Sequence, residues 1–279
     1  MPDSLEKNCF CMELPVMEYR EAWDLQGSLV AARKERVIDR DLFLFTEHPP
    51  VFTLGSNGGL NNLTVPEGFL KKAGIPVIRV ERGGDITFHG PGQLVVYPII
   101  DLREASLPVT RYVEKLEEVM IRTAGDWGVE AERNAANRGI WVGNNKLGSV
   151  GIAIRHGISF HGLAFNVNIS LEPFSWMNPC GLKGVGITSM EQELSDKVSM
   201  NRVRGAMRGH IETVFGAKLV MTSLSELQKS NLPERISHRP TRTGTDGSAA
   251  GRQNNKANTQ SSTGDAYAPS AELAGGRSL

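Results

Sequence analysis

The chain has 279 residues, of which 40% are hydrophobic, and its 31 basic side chains balance its 31 acidic ones. This length and hydrophobic content predict one large domain or two modest ones with a sizeable core, while the charge balance argues against a protein whose main task is binding nucleic acid. The sequence has no apolar run of membrane-spanning length, and its opening MPDSLEKNCFCMELP does not resemble a signal peptide, so we expect a cytosolic protein without a membrane partner.

Helical and strand patterns mix along the first two hundred or so residues of the chain. Tyr19 to Asp39 has the apolar spacing of an amphipathic helix, and a second helix is predicted after Thr110 as its N-cap. A third helix is predicted from about Asn201 to Phe215, with Gly216 as its stop signal. The predicted strands are Leu42–Phe45, Val51–Leu54, Val77–Val80, Leu94–Ile100, Ile140–Val142, Leu147–Ile154 and Phe160–Asn168.

Two of these strand pairs are separated by turn signals. Gly143-Asn144-Asn145 and Arg155-His156-Gly157 both have the composition of hairpin turns. Hairpins join antiparallel neighbours, so the sequence predicts a mixed α/β domain of the α+β type rather than a simple βαβ alternation.

The composition changes after Val220, beyond which there is no further Val, Phe or Trp. From about Gln228 onward the chain is dominated by small and polar residues with scattered charge. Such a segment cannot bury enough apolar area to offset its chain entropy. We therefore predict a folded domain over residues 1–222 and a polar, disordered tail over residues 223–279.

Residues 82–93, RGGDITFHGPGQ, are rich in glycine and polar side chains. A phosphate-binding loop would require a helix directly after the glycines, but a strand pattern follows. The segment is better interpreted as a loop in which glycines let the backbone approach a ligand closely, with Thr87 and His89 as its polar groups.

Residues 146–162, KLGSVGIAIRHGISFHG, form a second unusual segment. Lys146 begins an apolar strand just after a turn, a position in which a lysine is usually solvated. Gly148 and Gly151 are uncommon in a strand and indicate close approach by another group. His156 and His161 lack the spacing of a metal site.

The cysteines are too few for a disulfide framework. Cys9 and Cys11 have a metal-like spacing without a second Cys/His pair, which favours two small hydrophobic side chains in a first strand. Cys180 lies in NPCGLKGVGITS, residues 178–189. A buried structural thiol is the usual role of a lone cysteine. The proline before Cys180 and the glycine after it favour an exposed thiol, which makes Cys180 a candidate nucleophile.

These segments together resemble the octanoyl-[acyl-carrier-protein]:protein N-octanoyltransferases, or lipoyl(octanoyl) transferases. The resemblance covers roughly Leu14 to Val220. The motifs that carry it, in chain order, are EHPPVFTLG (47–55), RGGxxTxHGPGQ (82–93) followed by YP (97–98), KxGSxG (146–151), FHGLAxNV (160–167) and NPCG (178–181). One such motif would be suggestive, whereas this ordered set is highly specific.

The resemblance implies a biotin/lipoyl protein ligase-like fold, with a mixed, mainly antiparallel sheet flanked by helices. It also implies transfer of an octanoyl group from acyl carrier protein to a specific lysine of lipoyl domains, such as those of 2-oxoacid dehydrogenases, or of glycine-cleavage H protein. No metal or cofactor is implied, and a thioester donor is already activated, so no ATP is required. Nucleic acid and membranes are not expected as partners.

The family's catalytic dyad falls on Cys180 and Lys146, with Cys180 carrying the acyl group and Lys146 transferring protons. Backbone N–H groups near Gly148 or Cys180 are the expected oxyanion donors. The resemblance further predicts these substrate-binding residues: Arg82, Gly83, Gly84, Thr87, His89, Gly90, Lys146, Leu147, Gly148, Ser149, Val150, Gly151, His161, Gly162, Leu163 and Ala164. The acyl slot is expected between the Gly83-Gly84 loop and the Leu147–Ile154 strand. His89 is expected to line the site, with a structural histidine as the alternative.

Three other functions fit parts of the same pattern. An ATP-dependent lipoate- or biotin-type protein ligase would share the fold and the glycine-rich loop but would not depend on Cys180. A thioesterase would use the same nucleophile and release a free acid. A non-catalytic module would bind acyl carrier protein whether or not Cys180 and Lys146 were present.

Overall fold

A computed structural model of the chain describes residues 7–134, 137–178 and 185–229. In chain order, the helices and strands are β1 (Lys7–Glu13), α1 (Tyr19–Lys34), β2 (Leu42–Thr46), β3 (Val51–Leu54), α2 (Glu67–Lys72), β4 (Val77–Arg79), β5 (Ile86–His89), β6 (Gln93–Ile99), α3 (Val109–Gly125), β7 (Glu132–Arg133), β8 (Ile140–Val142), β9 (Asn145–Arg155), β10 (Ile158–Asn166), β11 (Gly186–Ile187), α4 (Met190–Leu194), α5 (Met200–Phe215), β12 (Ala217–Met221) and α6 (Leu224–Lys229). Short 3₁₀ turns occupy Leu60–Asn62 and Glu172–Trp176. Within these ranges, no helix is both long and apolar enough to cross a membrane.

The larger of the two sheets has the strand order β12-β1-β2-β6-β10-β9-β8-β7, with β11 beside β9. β1 is parallel to β2 and to β12, and β11 is parallel to β9. The other neighbours on this path are antiparallel. The sequence prediction of a mixed, mainly antiparallel sheet is therefore confirmed.

Helices cover both faces of this sheet because its strands are apolar on both sides. Phe43 and Phe45 of β2 point to the face covered by α3 and α5, where Tyr112 and Met207 belong to the same core cluster. Alternate residues of the same strand, Leu42 and Leu44, pack with α1 on the opposite face. Successive side chains of a strand point to opposite faces, so each strand contributes to both cores.

The smaller sheet has the order β4-β3-β5 and its own apolar core. Phe52 of β3 and Phe88 of β5 pack there with Phe174 from the second 3₁₀ turn. Phe88 and Phe174 meet edge-to-face, with ring centroids 5.5 Å apart. This small subdomain brings β3 and β5 beside the larger sheet, where the candidate site lies.

Most predicted elements are confirmed, and the exceptions have local causes. The first helix ends at Lys34 rather than near Asp39, since Arg36 adopts a left-handed φ of 57° and the N–H groups of Val37 and Ile38 return to the Ala32 carbonyl. Thr110 is not an N-cap. The second helix starts at Val109, directly after Pro108, whose φ of −59° suits a helix entry.

The interpretation of residues 82–93 as one loop is wrong in its centre, because Ile86–His89 form β5 and pair antiparallel with β3. Both predicted hairpins are confirmed. β9 and β10 join through His156 and Gly157, which have positive φ angles of 56° and 89°. Such a pair of left-handed residues matches the right-handed twist of the flanking strands.

Cys9 and Cys11 are buried in β1, where they pack with Phe43 and Phe45. Burial raises the pKa of the Cys9 thiol to about 11 and that of the Cys11 thiol to about 12. Both side chains act here as small hydrophobes, as the sequence indicates.

The described chain continues past the predicted domain boundary into the short helix α6. Leu227 of α6 is 5% exposed and packs in the same core cluster as α1. The assignment of residues beyond 229 as a disordered tail stays a prediction.

Candidate active site

A cavity of about 480 Å³ lies between the small sheet and strands β6, β9 and β10 of the large sheet. Its volume is in the range of small-molecule binding sites. The predicted site residues that line it are Arg82, Gly83, Gly84, Thr87, His89, Lys146, Ser149, Val150, Gly151, His161, Gly162, Leu163 and Ala164. The fold thus brings together residues from three separated segments of the sequence, 82–89, 146–151 and 161–164.

Three predicted site residues lie elsewhere. Leu147 is fully buried in the core against α3. A side chain at Gly148 would begin 2.7 Å from the Met120 sulfur, and one at Gly90 would begin 2.9 Å from the Phe88 ring. The missing side chain at Gly148 therefore allows the close packing of α3 on β9. Any role of these three residues toward a substrate stays a prediction.

The predicted nucleophile, Cys180, lies outside the described residues. The described chain on both sides of it contributes to the cavity through Met177 and Ile187. Ile187 pairs with Lys146 in the short parallel ladder between β11 and β9, and the Thr188 N–H donates to the Lys146 carbonyl at 3.0 Å.

On the small-sheet side of the cavity, a buried polar network is centred on Thr53. The Arg82 guanidinium donates from Nη2 to the Thr53 hydroxyl at 2.8 Å and to the Thr53 carbonyl at 2.7 Å. The same hydroxyl lies 3.4 Å from His89 Nε2. A charged group buried to this degree is tolerated because its donors are satisfied.

The network fixes the tautomer of His89. Gln93 donates from Nε2 to Asn166 Oδ1 at 2.9 Å, so its Oε1 faces His89 Nδ1 at 2.7 Å and must accept. Nδ1 therefore carries the hydrogen, and Nε2 accepts from the Thr53 hydroxyl. Burial, reinforced by His48 and Arg82, lowers the pKa of His89 to about 3. A neutral histidine with both nitrogens engaged favours the structural alternative stated from the sequence.

Further rings pack beside His89. Tyr19 stacks on it with centroids 5.5 Å apart, and His48 meets it edge-on at 5.9 Å. His48 donates from Nδ1 to the Met17 carbonyl and accepts the Tyr97 hydroxyl at 2.7 Å. Burial lowers the pKa of His48 to about 4. Tyr19, His89 and Tyr97 line the cavity, so their rings form a neutral, aromatic floor that His48 supports from outside.

His161 occupies a strained position in β10. Its φ of 55° is left-handed, and a side chain at the following Gly162 would begin 2.2 Å from the Val96 carbonyl oxygen. The His161 N–H is held by Gln26 Oε1 at 2.7 Å, and its Nδ1 lies 3.5 Å from the Tyr19 hydroxyl. Burial, then Arg82 and Arg155, lower the pKa of His161 to about 3. Such backbone strain clusters at functional sites.

The glycine-rich segment docks directly on β9. The Gly83 N–H donates to the Ile152 carbonyl at 2.8 Å. A side chain at Gly151 would begin 3.1 Å from both Arg82 Cδ and the Gly83 carbonyl oxygen. Gly151 therefore allows close contact between the two walls, as its place in a strand predicts.

Lys146 is 5% exposed, so its side chain is buried and not solvated as a lysine at the end of a strand usually is. Its ammonium donates to Asn137 Oδ1 at 2.8 Å and lies 5.2 Å from the centre of the Trp141 ring. The Trp141 indole N–H donates in turn to the Asn137 carbonyl at 3.2 Å. Lys146 is thus placed in the cavity by contacts with a separate segment.

Much of the remaining lining is apolar. Its apolar side chains include Ile86, Val95, Val150, Ile152, Leu163, Phe174, Met177 and Ile187. A cavity that combines an apolar wall with a buried amine and a neutral polar floor suits a substrate with a hydrocarbon chain next to a polar reacting group.

Several residues of the site were missed at the sequence level. His48, Tyr97 and Gln93 lie in motifs that carried the resemblance, although no role was assigned to them. Thr53 also lies in such a motif, whereas Asn137 gave no signal. The contacts of both residues, to Arg82 and Lys146, depend on the tertiary fold.

Comparisons with known proteins agree with this geometry. Residues 18–212 match the family model described as the lipoyl protein ligase A/B catalytic domain. A curated protein named Octanoyltransferase from Desulfotalea psychrophila is 48% identical over 221 residues, which cover 78% of this chain and 99% of that protein. Another Octanoyltransferase, from Syntrophobacter fumaroxidans, is 41% identical over 222 residues, which cover 80% of this chain and 97% of that protein.

Among solved structures, one describes a bipartite lipoate protein ligase and its E2 lipoyl domain from Thermoplasma acidophilum. It matches with a TM-score of 0.62 at 16% identity, covering 83% of this chain and 94% of that one. At this identity the likeness shows the fold alone, and it confirms the lipoyl-ligase-like fold class.

Proposed function

From the premise that this chain belongs to the lipoyl protein ligase A/B catalytic-domain family, and within it to the octanoyltransferases, we propose that it transfers an octanoyl group from acyl carrier protein to a lysine of lipoyl domains or of glycine-cleavage H protein. Membership makes the chain an acyltransferase. The donor, the acceptors and a covalent route through Cys180 are the parts that we propose.

The observation that carries the proposal is the buried Lys146 amine in a cavity of about 480 Å³ that has an apolar wall. An eight-carbon acyl chain has six methylene groups, and their burial contributes about 5 kcal/mol at about 0.8 kcal/mol each. The wall formed by Gly83, Gly84 and β9 supports the acyl slot expected from the sequence.

The reaction proceeds in two halves. The Cys180 thiolate attacks the thioester carbonyl of the donor, and the carrier's thiol leaves with a proton from Lys146. The neutral amine of the acceptor lysine then attacks the acyl-Cys180 thioester, and the Cys180 sulfur leaves as the amide forms. Because the acceptor enters as an ammonium, one proton is released to solvent per turnover. The acceptor ammonium loses two protons when it becomes the amide. One of them restores Lys146, which gave its own proton to the first leaving group, and the other is the proton released to solvent.

Cys180 is three residues along the chain from Met177, which lines the cavity. Ile187, on its other side, pairs with Lys146 itself. These neighbours support the pairing of Cys180 with Lys146. A nearby ammonium lowers the pKa of a thiol, which favours the thiolate needed for attack.

A product assay tests the proposal. Purified protein is mixed with octanoyl-acyl carrier protein and an apo lipoyl domain without ATP, and the mass of the lipoyl domain is followed. We expect one octanoyl group on the acceptor with the native chain and none with Cys180→Ala. Acceptor modification that requires ATP and free octanoic acid would instead identify a ligase, and release of free acid without acceptor modification would identify a thioesterase.

A further inference from the structure

The helix α3 carries a buried carboxylate, that of Glu117, which is not one of the predicted site residues. Glu117 is 1% exposed, and its Oε1 accepts the backbone N–H of Gly139 at 2.9 Å. Its Oε2 is paired with Arg133 Nε at 3.5 Å and Arg138 Nη1 at 3.6 Å. Removing a carboxylate from water costs several kcal/mol, which its ion pairs must offset. Glutamine or leucine would fill the same space in the core without that cost, so packing alone does not explain a glutamate here.

The segment held by Glu117 lies against Lys146. Gly139 has a left-handed φ of 121°, and a side chain there would begin 2.2 Å from the Gly148 carbonyl oxygen and 2.8 Å from Lys146 Cε. Gly139 is therefore wedged against the stem of Lys146. A displacement of the Gly139 backbone would be transmitted directly to that side chain.

Two residues earlier, the same segment supplies the partner of the lysine head group. Asn137 Oδ1 accepts from Lys146 Nζ at 2.8 Å, and the Asn137 carbonyl accepts from the Trp141 indole. Asn137 and Arg138 line the cavity together with Lys146. The segment from Asn137 to Gly139 thus contacts both the stem and the head of Lys146.

We propose that Glu117 is a positioning residue for Lys146, acting through the 137–139 segment that it fastens to α3. This inference rests on the proposed function, because it requires Lys146 to transfer protons during acyl transfer. The hydrogen bond to the Gly139 N–H sets where the segment lies, and the ion pairs with Arg133 and Arg138 offset the charge of the buried carboxylate.

The neighbouring Glu118 provides a matched control. It follows Glu117 on α3 and also pairs with Arg133, through an Nη2 to Oε2 distance of 2.6 Å. Its side chain is 30% exposed, and its other ion pair is with Arg122 on the same helix. Glu118→Ala therefore removes a carboxylate and an Arg133 ion pair while leaving the bond to Gly139 in place.

Steady-state kinetics of octanoyl transfer on Glu117→Ala, Glu117→Gln and Glu118→Ala test the proposal. Glu117→Ala should lower kcat by about tenfold or more, whereas the KM for the octanoyl donor should change by less than about threefold, since the acyl slot is untouched. Glu117→Gln keeps an oxygen for the Gly139 N–H and should recover part of the loss. Glu118→Ala should retain native kcat. Equal kcat for Glu117→Ala and Glu118→Ala would overturn the proposal, and so would a loss confined to KM.

A double-mutant cycle separates positioning from general damage to the fold. If Glu117 acts through Asn137, the two substitutions should not be independent. The factor by which kcat falls in the double variant Glu117→Gln/Asn137→Ala should then be clearly smaller than the product of the factors measured for the two single variants. Independent, multiplicative losses would overturn the proposal, and this arm applies even where Glu117→Ala does not fold.

Lys146→Met is assayed alongside. Full activity in Lys146→Met would refute the role of Lys146 in the proposed function. An inactive Lys146→Met beside a fully active Glu117→Ala would refute the positioning role alone.

Discussion

The small-sheet wall and the β9 wall of the cavity hold their polar groups in different ways. On the small-sheet wall, Arg82 and His89 each hydrogen-bond the Thr53 hydroxyl, and the network continues through Gln93 to Asn166. On the β9 wall, Lys146 depends on Asn137, which belongs to a segment fastened from behind by Glu117. The small-sheet wall is thus a buried network whose polar groups are hydrogen-bonded to one another through Thr53 and Gln93. On the β9 wall, the contacts instead position a single amine, that of Lys146.

This difference predicts different consequences of substitution. Breaking a satisfied buried network leaves polar atoms unpaired, which lowers the free energy of unfolding. Displacing a reactive amine changes the barrier to reaction with little effect on folding.

Replacing Lys146 should give the largest effect on rate. Lys146→Met removes the amine but keeps much of its stem, and we expect octanoyl transfer to fall by a factor on the order of 10² to 10⁴, the usual contribution of general acid–base catalysis. Lys146→Arg should not restore activity, because a guanidinium does not give up its proton near neutrality. Single-turnover transfer to an apo lipoyl domain measures this, and activity within about threefold of native would contradict the role.

Breaking the other wall at Thr53 should act on stability. Thr53→Val deprives Arg82 of a hydroxyl acceptor and His89 Nε2 of a donor, so we expect the free energy of unfolding to fall by about 2 kcal/mol. Urea denaturation measures the change. Thr87→Val serves as the control, because Thr87 is the cross-strand neighbour of Thr53 and lies outside this network. Equal losses in the two variants would mean that the network is not the cause.

The buried histidines should make folding sensitive to acid. Burial lowers the pKa values of His48, His89 and His161 from 6.5 to about 4, 3 and 3. The unfolded chain then binds more protons below pH 6.5, so the contribution to stability is complete above that pH and is lost as the pH falls toward the folded-state values. At pH 5, each histidine should lower the free energy of unfolding by on the order of 2 kcal/mol relative to neutral pH.

Urea denaturation at pH 7.5 and pH 5 checks this dependence. His89→Gln should flatten the loss of stability between the two values, whereas His156→Asn, at an exposed left-handed turn position, should leave it unchanged. A stability that does not fall between pH 7.5 and pH 5 would contradict the burial of neutral histidines.

The contact between the two walls should give the smallest effect. A methyl group at Gly151 would lie 3.1 Å from Arg82 Cδ and the Gly83 carbonyl oxygen, so the glycine-rich segment must move by a few tenths of an ångström. We expect Gly151→Ala to lower kcat/KM for an octanoyl donor by about three- to tenfold, and for a butanoyl donor by less, because a shorter chain fills less of the slot. Equal losses with both donors would place the acyl chain elsewhere.

The sequence predicts β3, β9 and β10 well, since their apolar runs and turn residues are local features. The strand Ile86–His89 within residues 82–93 was not predicted, because the glycines on both sides of it are typical of a loop and its pairing with β3 is a tertiary contact. The burial of Lys146 was not predictable from its own neighbourhood, as it depends on Asn137 and Trp141. Glu117 also had no local signal, because a glutamate on an amphipathic helix is normally exposed.

The resemblance supplied what local patterns did not. It selected Lys146 and the lining residues from several segments, and the fold brings most of them to one cavity. It also included Gly148, whose packing against Met120 explains that glycine without a ligand. A motif therefore mixes residues that touch a substrate with residues that shape the scaffold, and tertiary contacts are needed to separate them.

The intact mass of the protein after exposure to octanoyl-acyl carrier protein, without ATP or acceptor, tests the central claim most directly. We predict that the native chain gains one octanoyl group, that hydroxylamine removes it, that an apo lipoyl domain discharges it, and that Cys180→Ala gains none. Octanoylation of the acceptor with no such adduct on the native chain, or an adduct of equal yield on Cys180→Ala, would contradict a route through Cys180.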